Sequence, residues 1–174
     1  RRAIAYAVDK EWISDTVFSG YSVPLDSCVP QINPFSVEGQ LDYSYYESDI
    51  EKANGLLDTA GFDDVDMDGF REAPNGSDFE IELCFYASSS ISEKTCEAFA
   101  IALESLNVDF YLNPDDTSSP HGRLNNHEPY GLIFIACNFR NFDVDWLGYE
   151  FWSEYADEQF WNYPNFRNAT YDSW

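Results

Sequence analysis

Carboxylates fall at every second position in Asp64-Val65-Asp66-Met67-Asp68-Gly69-Phe70-Arg71-Glu72. Acids at that spacing converge when the chain curls, hard divalent cations take such oxygen ligands, and a glycine after the third acid permits the sharp turn. Asp64, Asp66, Asp68 and Glu72 are therefore candidate ligands for Ca2+ as a structural ion. In a complete loop of this type a bidentate glutamate stands at the twelfth position, which here is Asn75, so Glu72 or Asp78 must supply that oxygen. A metal-free acidic turn is the competing reading. A second constellation follows the apolar run at 132–137 (LIFIAC), namely Asn138, Arg140, Asn141, Asp143 and Trp146. Ligands collect at the carboxyl ends of strands in open α/β sheets, because loops there converge polar groups over a rigid base. These five residues are the candidate ligand-binding set, and an aromatic connection packed on the sheet is the alternative.

The aromatic tail, with Trp146, Phe151, Trp152, Tyr155, Phe160, Trp161, Tyr163 and Phe166 among many acids, admits a sugar cleft with paired catalytic acids. Packing against a neighbouring domain is the favoured reading. No G-x-S-x-G turn occurs, and His121 and His127 lie in a polar stretch with no nucleophile pattern nearby. Nothing assembles into an active site, so the expectation is that the chain is not an enzyme and requires no cofactor.

These groups need elements to hold them. Ile4, Val8 and Trp12 share a helical face, Asp9 is placed to cap a second run carrying Ile13 and Val17, and Gly20 ends it. Prolines at 24, 30 and 34 predict an ordered loop from 21 to 46. Ser48-x-x-Glu51 and Ser90-x-x-Glu93 have capping-box spacing ahead of helices, the first of which closes at Gly61. Phe79, Ile81, Leu83 and Phe85 alternate with more polar neighbours, the period of a strand with one buried face. A helix carrying Cys96, Phe99, Ala100, Leu103 and Leu106 follows, then a second strand at 108–112. Such a crossover makes the strands parallel neighbours. The continuous run at 132–137 reads as a strand covered on both faces. The fold class is α/β, a small mixed, partly parallel sheet flanked by helices, with residues 1–174 forming one domain.

Charge excludes whole classes. Nine basic residues against 32 acidic ones give a net charge of -23, which repels nucleic acid and anionic lipid; the bland reading is a hydrated surface suited to salty surroundings. No run of 18 apolar residues occurs. Cys28, Cys84, Cys96 and Cys137 form no C-x-x-C pair, and free thiols are favoured over a disulfide.

The opening RRAIAYAVDKEWISDTVFSGYSVPLDSCVP, the segment carrying Asp49, Lys52, Ala53, Leu56, Leu57, Ala60 and Gly61, the turn DVDMDGFRE and the strand LNVDFYL occur in that order. Together they resemble the large second lobe of family 5 extracytoplasmic solute-binding proteins, the oligopeptide and dipeptide receptors of ABC importers. The resemblance implies a two-lobe protein of which this chain is one ligand-binding lobe, outside the cytoplasm and membrane-associated. Its partners would be a peptide or other small-molecule ligand, the missing lobe and ABC permease subunits. In peptide-binding members the loop after a strand like LIFIAC supplies an aspartate for the peptide's amino group. Arg140 stands near that position, and an arginine there repels an ammonium and attracts a carboxylate or phosphate. A calcium-stabilised extracellular structural or adhesion module and a carbohydrate-active enzyme fragment are the rival readings.

Overall fold

The computed structural model describes residues 1–116, 120–135 and 144–173. Its centre is a three-stranded parallel sheet in the order β2-β1-β3, with β1 at Glu80–Phe85, β2 at Asp109–Pro114 and β3 at Leu132–Ile133. Helix α4, Ser90–Ser105, makes the crossover from β1 to β2. Ile81, Leu83 and Phe85 face it, and Leu83, Leu103 and Leu106 have no solvent exposure. The alternation read from sequence is thus that of β1, and the parallel pairing is as expected. β3 is shorter than the apolar run suggested. Leu132 and Ile133 are only half-buried, while Ala136 and Cys137 lie outside the described residues.

The opening helical stretch divides at Asp9, where a second run was expected to begin. α1, Arg2–Ala7, ends at Val8, which is extended (ψ 126°), and α2 is the single turn Lys10–Trp12 followed by a π-helical turn at Ile13–Val17. Outside partners take the backbone groups that the helix gives up. The Tyr6 carbonyl accepts from Asp49 N–H (2.7 Å), and Lys10 N–H donates to the Tyr46 carbonyl (2.8 Å). Asp9 caps as predicted, accepting from Trp12 N–H at 2.7 Å. α3, Ile50–Thr59, is capped by Asp49 rather than Ser48, and α4 by Ser89 rather than Ser90. The Asp49 carboxylate is the stronger acceptor at the partly positive end of a helix.

The loop between α2 and α3 is held by a polar network. Lys10 Nζ donates to the Leu25 carbonyl and pairs with Asp26 (2.8 Å), while Glu38 accepts from the N–H groups of Asp26 and Ser27. Burial pushes the Glu38 carboxyl up, but the Tyr46 hydroxyl and the Ser27 and Asp26 donors outweigh it and hold it down at about 2.

The second face of β1 carries Glu82 and Cys84, and helix α5, Pro120–Asn125, is tied to it by an ion pair. Arg123 grips Glu82 with both arms, Nη1 at 2.6 Å and Nη2 at 2.9 Å, and Asn113 on β2 donates to the same carboxylate. The side chains of Arg123 and Glu82 are 14% and 11% exposed. Hydrogen bonding from Arg123 holds the Glu82 carboxyl below its ordinary value despite burial. Cys84 and Cys96 are buried free thiols, as expected; burial pushes the Cys96 thiol up to about 11.

After α5 the chain forms α6 at Trp146–Phe151, a 3-10 turn at Ser153–Asp157 and α7 at Ala169–Asp172. The tail aromatics pack on one another: Tyr149 lies 4.9 Å from Trp161, and Phe151 meets both Phe166 and Tyr171 edge-on. Fully buried Asn162 organises them, its amide donating to the Trp152 and Phe166 carbonyls and accepting from Phe166 N–H.

Replacing Arg123 by Met leaves Glu82 in its half-buried site without a counter-charge, which should cost about 3 kcal/mol at neutral pH. Because Arg123 lowers the folded-state value of Glu82, this contribution is present above the unfolded value near pH ~4.3 and is lost as pH falls through the folded value. Guanidinium titrations at pH 7 and pH 3 should therefore show a penalty that shrinks in acid; an unchanged penalty would mean the pair contributes packing alone.

Candidate functional site

Two regions gather polar groups, and they lie at opposite ends of the sheet. The acidic turn sits at the amino end. The ligand atoms of Asp64, Asp66, Asp68 and Glu72 all lie within 4.8 Å of one another, so the spacing does bring the four predicted ligands together. The three aspartates are exposed and Glu72 is buried. The carboxylates also serve the turn itself: Asp64 accepts from Gly69 N–H (3.2 Å), Asp66 from Asp68 N–H (3.1 Å), Asp68 from Phe70 N–H (2.8 Å) and Glu72 from Val65 N–H. This oxygen-only donor set is the kind a hard divalent cation takes.

Arg71, which sequence reading left without a role, anchors the turn. Its Nε–H donates to the Leu106 carbonyl at the end of α4 (2.9 Å), Nη1 reaches the Phe62 carbonyl and the Asp58 carboxylate (2.7 Å), and Nη2 reaches Asn54 (3.0 Å). The last carbonyls of a helix have no intrahelical donor and carry partial negative charge, so one guanidinium satisfies groups beyond both α3 and α4. Met67 has φ +66° and is exposed.

The carboxyl ends of the strands form the other region. β1 runs into Tyr86 and Ser88, β2 into Asp115 and Asp116, and the segment after β3 leaves at the same end, since Phe134 N–H still donates to the Cys84 carbonyl (3.1 Å). Asp115 N–H donates to the Phe85 carbonyl (2.9 Å), and Ser88 bonds the Asp116 carboxylate through N–H and hydroxyl. The Tyr86 hydroxyl is hydrogen-bonded to Nδ1 of His121 at the start of α5. His121, read from sequence as an unremarkable polar residue, therefore joins this end through Tyr86, and no local pattern in the sequence signals that contact. Trp146 begins α6. Asn138, Arg140, Asn141 and Asp143 lie outside the described residues.

A parallel sheet with a helical crossover, flanked by helices and with polar loops gathered at the strands' carboxyl ends, is the architecture of periplasmic binding-protein lobes. Residues 1–159 match the family model for bacterial extracellular solute-binding proteins, family 5 Middle. The chain belongs to that family. No curated protein sequence matches it. Among solved structures, the periplasmic oligopeptide-binding protein of an oligopeptide ABC transporter from Thermotoga maritima superposes with a TM-score of 0.81 at 21% identity, over 99% of this chain and 34% of that one. The oligopeptide-binding protein AppA from Bacillus subtilis, in complex with a nonapeptide, gives 0.80 at 19% identity over 99% and 33%. NikA from Brucella suis, in complex with Fe(III)-EDTA, gives 0.68 at 27% identity over 82% and 28%. The chain thus spans about a third of the length of the structures it matches. Among the described residues no helix is long and apolar enough to cross a membrane.

A left-handed methionine is strained by its Cβ, at roughly 1 kcal/mol. Met67→Gly should therefore raise the unfolding free energy by about 0.5 kcal/mol, net of the entropy a glycine adds to the unfolded chain. Urea titration measures this, and a loss of stability would show that the Met67 side chain makes contacts outweighing the strain.

Proposed function

We propose that this chain is one ligand-binding lobe of a non-catalytic solute-binding protein. The whole protein captures its cargo between two lobes outside the cytoplasm and delivers it to ABC permease subunits. The observation that supports this reading best is the convergence of Tyr86, Ser88, Asp116 and the exit of β3 at Phe134 at one end of a parallel sheet, inside a chain of this family. The cargo belongs to the class of oligopeptides and related small molecules. Arg140, with Asn138, Asn141, Asp143 and Trp146, is the proposed contact set, and the arginine favours a carboxylate or phosphate on the cargo. Matched structures hold a nonapeptide in one case and Fe(III)-EDTA in another, so fold alone does not choose among ligands. Both of those ligands carry carboxylates.

Thermal-shift measurements on the protein carrying this chain, against peptides, amino acids, oligosaccharides, nucleosides and metal chelates, test this reading. A ligand at about 100 times its dissociation constant should add about 2.7 kcal/mol of stability. An acid-bearing class should give the shift, and Arg140→Ala should remove it. Stabilisation by oligosaccharides with sugar hydrolysis would instead support a carbohydrate-active enzyme.

The acidic turn is proposed to take Ca2+ as a structural ion, a reading supported by four carboxylates whose ligand atoms lie within 4.8 Å of one another. Millimolar calcium should raise Tm, and Asp66→Asn should reduce the gain by weakening the site. Equal Tm values in calcium and in EDTA would identify a metal-free turn braced by its own backbone. A large calcium effect without any small-molecule ligand would favour a structural or adhesion module.

A further inference from the structure

α4 presents a second face that the sheet does not use. Ala98, Ile101, Ala102 and Ser105 recur at the three-and-four spacing of a single helical stripe, and Ile101 is 59% exposed. With Trp12 of α2, itself 44% exposed, and Ile50 of α3, they line an apolar groove of about 410 Å³. Ser48 and Ile50 are shared with an adjoining polar trough of about 710 Å³, where the exposed Glu11, Glu47 and Glu51 stand. None of these three glutamates takes part in the ion pairs found among the described residues. Lys52, the basic residue lining the trough, has its Nζ 4.0 Å from the Tyr6 ring centroid.

Charge decides what fits here. A second copy would set three glutamates against the same three on a chain of net charge -23, and an anionic lipid surface would be repelled in the same way. A helix with leucine-like side chains on one face and lysines or arginines beside them satisfies both halves, apolar groups in the groove and cations over the trough. We propose that the groove between α2, α3 and α4 is a docking site for a basic amphipathic helix of a partner protein. α4 runs back against the strands it connects, so its last turns, and this groove with them, lie at the sheet's amino end, away from Tyr86 and Asp116. Occupancy should not compete with cargo.

The test is calorimetric titration of the full chain with a helical peptide of about 18 leucine and lysine residues, leucines on one face, and with its leucine and glutamate counterpart. The lysine peptide should bind and the glutamate peptide should not. Ile101→Asp should weaken binding about tenfold or more, whereas Ile91→Asp, on α4 but outside the groove and 44% exposed, should change it less than about twofold. Ile101 is exposed, so its replacement spares the core; Trp12→Ala gives an independent second reading of the groove. Equal effects of the Ile101 and Ile91 variants would reduce the binding to bulk charge attraction and overturn the proposal. So would equal affinity for the glutamate peptide, or self-association without peptide that Ile101→Asp abolishes.

Discussion

A strand paired in parallel on both edges and covered on both faces leaves little free space around its backbone. At Gly131 a Cβ would stand 2.5 Å from the Glu82 carbonyl oxygen and 2.7 Å from its nitrogen, so the chain entering β3 needs a residue without a side chain to approach β1. Glu82 is also the residue whose carboxylate binds Arg123 and Asn113. One position on β1 therefore fixes the approach of β3, the seat of α5 and a link to β2. With β1 held, α4 packs its inner stripe on Ile81, Leu83 and Phe85, and the two crossover ends are assigned opposite tasks.

At the amino end the helix termini and the acidic turn are tied together. Arg71 fills the carbonyl positions beyond α3 and α4, and the acidic turn it anchors is braced by four carboxylate contacts to backbone N–H groups. At the carboxyl end the strands release polar side chains, Tyr86 and His121 bonded to each other and Ser88 to Asp116, beside the exit of the segment after β3. A rigid base with convergent polar groups is what small-molecule recognition requires. The chain spans about a third of the length of these matched structures.

Local signals in the sequence carried far. Alternation at 79–86, the apolar period of α4 and the crossover rule together predict the parallel pair β1 and β2, and the acid spacing predicts four carboxylates that do converge. Signals failed where partners are distant in sequence. Arg123 and Glu82 are 41 residues apart, and Tyr86 and His121 are 35 apart, with no pattern linking either pair. Helix caps were displaced by one residue because Ser48 and Asp49, or Ser89 and Ser90, offer adjacent acceptors and only the three-dimensional entry angle selects between them. The first helix broke because Asp49 and Tyr46 compete for its backbone groups, a contact that the helical period of Ile4, Val8 and Trp12 cannot reveal.

Hydrogen exchange on the protein carrying this chain, with and without bound cargo, locates the binding end of the sheet. Cargo should slow exchange at the amides of Tyr86, Ser88 and Ser89 and of Asp115 and Asp116, while the acidic turn and the outer face of α4 are unchanged. Protection confined to the amino end of the sheet, with the carboxyl end unaffected, would contradict the proposed site.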